Sequence, residues 1–81
     1  MGGVQSIERA FALLRALSLG PAGVTDLSER TALPKSTVSR LLSALEIEGA
    51  VTQNDFGSYE LGHAIAELGT ALRLDQTVVE S

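Results

Sequence analysis

The residues with chemistry to offer gather in one stretch. Between positions 30 and 45 stand Arg30, Lys35 and Arg40, interleaved with Ser36, Thr37, Ser39 and Ser43, and no acidic residue. Cations set among hydroxyls suit a polyanion, the cations meeting phosphates and the hydroxyls donating or accepting at polar edges. The other 65 residues hold three basic and all ten acidic side chains, which brings the chain to a net charge of −4. Nucleic-acid-binding domains usually have a basic footprint, so the sum argues against that partner while the distribution argues for it. Distribution weighs more, because salt screens charges beyond about 8–10 Å.

Other chemistries lack their residues. The chain has no cysteine, which excludes disulfides, thiolate metal sites and thiol nucleophiles. With a single histidine, His63, a multi-histidine metal centre is excluded as well. No nucleophile, base and orienting group can be assembled from that histidine and scattered serines. His63 itself reads as a surface residue. Asp55-Phe56-Gly57 spells the metal-binding tripeptide of protein kinases, but the chain has neither the glycine-rich loop nor the catalytic loop that go with it. No catalytic residue, no metal and no cofactor is therefore expected. Apolar runs of a few residues fall far short of the roughly 20 that span a bilayer. Met1-Gly2-Gly3-Val4 shows no secretory pattern, and the expectation is a soluble intracellular domain. At 81 residues, 44% hydrophobic and 20% charged, the composition is that of one folded domain.

Periodicity supplies the elements that would carry the basic stretch. Ile7, Ala10, Phe11, Leu14 and Leu17 recur at helical spacing and predict a first helix over residues 6–19, with Ser6 as N-cap and Gly20-Pro21 as its stop. Leu13, Ala16 and Leu19 lie off that stripe. Either the helix is nearly buried in a small core, or these residues form a second contact surface such as a dimer interface. Thr25 reads as the N-cap of a short helix over Asp26–Thr31 with Leu27 inward. Pro34 suits the first position of a third helix running to about Glu48, stopped by Gly49. Val38, Leu41, Leu42 and Leu45 are its core positions.

The period then changes. Ala50–Gln53 and Ser58–Leu61 are short strand-like runs around Asn54-Asp55-Phe56-Gly57, which is hairpin chemistry. Ile65, Leu68 and Leu72 predict a final helix from His63 to about Leu74, followed by a frayed tail from Asp75 to Ser81. A short helix joined tightly to a longer one is a helix-turn-helix, and the hairpin after it makes the motif winged. The expected fold is mainly α with a small β-hairpin: a three-helix core, a wing and a C-terminal linker helix. The basic stretch falls on the turn and on most of the third helix, the part that enters the major groove in this class.

From Thr25 to Glu48 the chain reads TDLSERTALPKSTVSRLLSALEIE, which resembles the IclR family of bacterial transcription regulators. Gly49-Ala50-Val51, Tyr59-Glu60-Leu61-Gly62 and the opening Ser6-Ile7-Glu8-Arg9-Ala10 extend the resemblance over most of residues 4–69. It implies a winged helix-turn-helix DNA-binding domain, residues 1–62, followed by a linker helix and tail, residues 63–81. It further implies a cytoplasmic, nucleoid-associated dimer on a palindromic operator. A small-molecule effector would act only through a C-terminal effector domain absent from these 81 residues. Of a domain cut from a longer protein and a natural short relative, the sequence favours the first, because a helix at 63–74 leading nowhere looks like a cut. Ser39 stands where the family commonly has a larger His, Tyr or Phe, which puts its base preference in doubt.

The third helix supports the same reading on its own residues. With the four aliphatic positions inward, Ser36, Ser39, Arg40 and Ser43 share the opposite face, and Ile47 lies further along. Serines let the backbone approach the groove floor, and Arg40 either forks onto guanine O6 and N7 or clamps a phosphate. Lys35 and Thr37, near the helix start, suit phosphate contacts. Arg30 either reaches phosphate or pairs with Asp26 one turn earlier. The wing has no cation and carries Asp55 at its tip, so Gln53, Asn54 and Ser58 make it a weak DNA contact at best. Dimerisation is expected through the Leu13, Ala16, Ile65, Leu68 and Leu72 region, with Leu19 beside it. The alternative function is a winged helix that binds protein and not DNA, which the net charge keeps open and the absence of acids from most of the third helix's exposed face opposes.

Overall fold

The computed structural model describes residues 4–72, with element order α1 (Gln5–Leu17), α2 (Val24–Thr31), α3 (Lys35–Ile47), β1 (Val51–Gln53), β2 (Tyr59–Leu61) and α4 (His63–Thr70). The expected order holds throughout, and the boundaries shift by a residue or two, as helix ends do, except that α4 stops at Thr70, short of the expected end near Leu74. Leu74 and the tail from Asp75 to Ser81 lie outside the described residues.

One aliphatic cluster joins the elements. Leu13, Leu17, Ala22, Leu27, Val38, Leu42 and Val51 are buried, and Leu14, Ala16, Val24, Leu33, Leu41, Leu45, Tyr59 and Leu61 pack around them. Each fully buried aliphatic side chain contributes about 1.5–3 kcal/mol relative to exposure. Val38 and Leu42 are the α3 contribution, so burying them sets which face of α3 is left to solvent.

Helix α1 docks differently from the expected stripe. Leu13 is fully buried and Leu17 nearly so, whereas Ile7 and Phe11 are about half exposed. Leu13 therefore belongs to the core and cannot form part of a dimer surface. The reason is geometric: α1 meets both α2 and α3 through its C-terminal half. Ile7 and Phe11 lie about a third of a turn round from that line. Leu19 follows the helix and stays 82% exposed.

The caps also differ. Val4, Gly23 and Pro34 hold the N-cap positions of α1, α2 and α3, each in extended backbone and none with a side-chain cap bond. Ser6 and Thr25 accordingly sit inside their helices and cap nothing. Pro34, at φ −60° and ψ 148°, precedes the first helical residue. Its fixed φ still presets the entry into α3.

The turn between α2 and α3 is locked from several sides. Ala32 takes the left-handed conformation at φ 60°, a position that glycine occupies with less strain. Ser28 Oγ donates to the Leu33 carbonyl at 2.5 Å, and Thr31 Oγ1 donates to the Leu27 carbonyl at 2.7 Å. Leu33 packs against the core. Together these fix the angle at which α3 leaves the turn.

Strands β1 and β2 pair antiparallel, Val51 with Leu61 and Gln53 with Tyr59. A bridge missing from the sequence reading adds Ala22, whose amide donates to the Tyr59 carbonyl at 3.1 Å while the Tyr59 amide donates to the Ala22 carbonyl at 2.8 Å. The wing is thereby tied to the segment after α1. Gly62 closes the hairpin against the end of α3: a Cβ there would lie 2.2 Å from the Gly49 carbonyl oxygen. No larger residue fits without moving that backbone.

Candidate nucleic-acid interface

Helix α3 presents the sequence-predicted residues to solvent. Lys35, Ser36, Ser39, Arg40 and Ser43 are exposed, and Thr37 is half-buried. The spacing of Ser36, Ser39, Arg40 and Ser43 puts them on the side away from Val38 and Leu42. Among the described residues, no hydrogen bond or ion pair engages the side chains of Lys35, Ser36, Thr37, Ser39, Arg40 or Ser43. The fold supports these side chains from beneath and leaves their polar atoms available. Arginine and lysine keep five and three donors respectively for an incoming anion. Ile47, continuing the same side, is 83% exposed and flanked by Glu46 and Glu48, which mark the end of the surface that can face phosphate.

Arg30 is placed apart from this group. Its Nη2 lies 3.1 Å from Asp26 Oδ2, and its Nη1 lies 3.5 Å from the Ala16 carbonyl oxygen on α1. Of the two possibilities for Arg30, the free domain adopts the intrahelical pair. Both partners are roughly half exposed, so the pair is a weak one that a phosphate can displace.

The wing's polar groups hold the wing itself. Asn54 Oδ1 accepts from the Phe56 and Ser58 amides at 2.9 and 3.1 Å, and its Nδ2 donates to Glu60 Oε2 at 3.0 Å. Gln53 Nε2 donates to the Gly57 carbonyl at 3.2 Å. Of the three wing residues expected to touch DNA weakly, Gln53 and Asn54 are already engaged, whereas the Ser58 hydroxyl makes no hydrogen bond among the described residues. What projects from the tip is Asp55 and Phe56, the latter 92% exposed. The sequence signalled the turn but gave no sign of how completely the asparagine would be used.

A second surface is apolar. Phe11, Leu14, Leu61 and Ile65, with Arg15 and Ser18 at the edge, line a groove of about 330 Å³ between α1 and the base of the wing. Ile7 on α1, Leu68 on α4 and Leu72 just after α4 are exposed large side chains. His63, at the start of α4, is exposed as expected, its imidazole lying beside Gly49. Among the described residues no helix is long and apolar enough to cross a membrane, and no three acidic, histidine or cysteine side chains gather to hold a metal.

Three core helices, a hairpin directly after the third, and an exposed cationic-hydroxyl face on that helix define a winged helix-turn-helix DNA-binding domain. Comparison with known proteins narrows the class. The family profile described as the IclR helix-turn-helix domain matches residues 6–55, and the chain belongs to that family of transcriptional regulators. It is 45% identical over 76 residues to the HTH-type transcriptional regulator Rv1719 of Mycobacterium tuberculosis, covering 90% of this chain and 29% of that protein. It is 41% identical over 70 residues to the glycerol operon regulatory protein of Streptomyces coelicolor, covering 83% of this chain and 28% of that one. Among solved structures it superposes on an IclR-family transcriptional regulator from Brucella abortus with a TM-score of 0.79 at 33% identity, covering 86% of this chain and 28% of that one. The regulator from Alicyclobacillus acidocaldarius gives a TM-score of 0.82 at 29% identity, covering 90% and 31%. The chain thus spans under a third of the length of these relatives.

Proposed function

We propose that this domain delivers a transcription regulator to an operator by placing α3 in the major groove. Arg40 reads a base pair, and Ser36, Ser39 and Ser43 allow close approach and contact base edges. Lys35, Thr37 and the amino end of α3 hold the flanking phosphates. Arg30 serves at the margin, exchanging Asp26 for a phosphate when DNA arrives. The observation that carries this reading is the α3 face itself: exposed, acid-free from Lys35 to Leu45, and without internal partners among the described residues.

Two copies would act together on a palindromic site. The apolar α1–α4 surface is the two-fold contact, with Ile65, Leu68 and Leu72 as expected and with Ile7 and Phe11 in the role first given to the buried Leu13 and to Ala16, which packs against the core and lines the cleft between α1 and α2. Residues 63–81 would lead from this domain, residues 1–62, toward an effector-binding portion in a regulator of the relatives' length. The protein would work on the nucleoid in the cytoplasm, with no enzymatic step.

The experiment is selection of duplexes from a random-sequence pool, followed by gel shift at several salt concentrations. Three cations per chain, six per dimer, give an expected slope of log K against log salt of about −5. Retention of a defined sequence with that slope supports the proposal. Binding that ignores salt, or no binding even at low salt, refutes it.

A further inference from the structure

The wing presents a surface that DNA does not explain. It carries Asp55 and Glu60 and no cation. Glu60 is bonded by Asn54, so the acid left at the tip is Asp55. Next to it Phe56 is the most exposed large hydrophobic side chain among the described residues. Its backbone is held by the Asn54 turn and by Gly57, whose amide donates to the Asn54 carbonyl at 3.1 Å. A carboxylate beside a firmly presented ring is repelled by phosphate. It suits an apolar hollow with a cation on its rim.

The chain contains such a hollow. A cleft of about 740 Å³ between α1 and the end of α2 is lined by Ala12, Arg15, Ala16, Leu19, Arg30 and Thr31. Ala12, Ala16 and Leu19 supply apolar wall, and Arg15 and Arg30 line the cleft with them. Arg30 is paired with Asp26, but Arg15 has no carboxylate partner among the described residues and lies over its own Phe11 ring at 5.8 Å. We propose that the Asp55–Phe56 tip of one copy docks in the Arg15–Leu19 cleft of a second copy, with Asp55 meeting Arg15 and Phe56 covering Leu19. Two of the most exposed hydrophobic side chains thereby cover each other.

The contact is small. One ring and one ion pair fall well below the roughly 1,200 Å² of a stable interface, so it does not hold free chains together. It acts where another interaction already brings copies close, which raises their effective concentration. Tip and cleft are different surfaces carried by every copy, so the contact runs head to tail and can link one dimer to the next. Its use between neighbouring operators rests on the DNA-binding reading; the contact itself does not.

The chain has no cysteine, so a single Glu29→Cys substitution, next to Arg30 of the cleft and outside the groove between α1 and the wing, accepts a nitroxide label without background. Isotope-labelled wild-type chain mixed with this spin-labelled chain at about millimolar concentration, where weak contacts are populated, should lose the amide signals of Asp55, Phe56 and Gly57. Asp55→Arg in the isotope-labelled chain should restore those signals. Adding Arg15→Asp to the spin-labelled chain should remove them again. Unchanged tip signals in the first mixture, or losses indifferent to both charge reversals, would overturn the proposal. A further arm separates DNA from protein at the tip: Phe56→Ala should bind a short random-sequence duplex as wild type does. A tenfold loss there would put the ring against DNA and overturn the docking.

Discussion

Helix α3 and the wing are separated by three residues, Glu48 to Ala50, and they treat their polar side chains in opposite ways. On α3 the hydroxyls and cations lie over a buried aliphatic face and make no internal bonds among the described residues. In the wing the amides of Gln53 and Asn54 are turned inward onto the hairpin's own backbone and onto Glu60. Composition makes the two look alike, since both are short, polar and exposed. An exposed polar residue is a candidate for a ligand only where the fold has not already used its hydrogen-bonding groups. By that measure α3 is the proposed reading surface and the wing a supporting one.

Substitutions probe this contrast, and the largest effect is the one that removes both regions. Leu42→Ala should cost about 2–5 kcal/mol of folding stability, because the α3 face stands on that side chain. Urea denaturation reads it, and DNA affinity should fall only in proportion to the unfolded fraction. Asn54→Ala should cost about 1 kcal/mol by releasing the Phe56 and Ser58 amides, while affinity for a short duplex stays unchanged. A large loss of affinity with stability intact would move the wing to the reading side of the comparison. Ala32→Gly should be the mildest, neutral or stabilising by up to about 1 kcal/mol, since glycine relieves the left-handed strain but brings its own entropic cost. Thermal denaturation checks it, and a clear loss of stability would mean that the Ala32 methyl packs where we see only strain.

The order of elements was legible because each change of hydrophobic period coincides with a glycine or proline. Gly20-Pro21, Pro34 and Gly49 punctuate the chain where the helices stop or start. The exposed face of α3 was legible for a similar reason, since its aliphatic positions are confined to one side. Helix α1 was not, because it is apolar over more than one face, and periodicity cannot say which stripe the core selects. The choice came from α2 and α3, which meet α1 along Leu13 and Leu17 and leave Ile7 and Phe11 outside. The bridge between Ala22 and Tyr59 was equally invisible, being a long-range pairing by a residue with no strand pattern around it. Arg30 was left open in the sequence, and only coordinates could show it against Asp26.

Helix α3 is proposed to read sequence with Arg40 and to grip the backbone with Lys35, and the two residues separate under one assay. Dissociation constants are measured for wild type, Lys35→Ala and Arg40→Ala on the selected site and on a scrambled duplex of the same composition. Lys35→Ala should weaken both duplexes alike and make the salt slope shallower by about one unit per bound chain. Arg40→Ala should lose about 1–3 kcal/mol on the selected site and much less on the scrambled one, and Arg40→Lys should not restore it, because a point charge cannot form the planar fork. Equal losses on both duplexes for Arg40→Ala would contradict the account and make Arg40 a phosphate clamp, with base reading left to the serines.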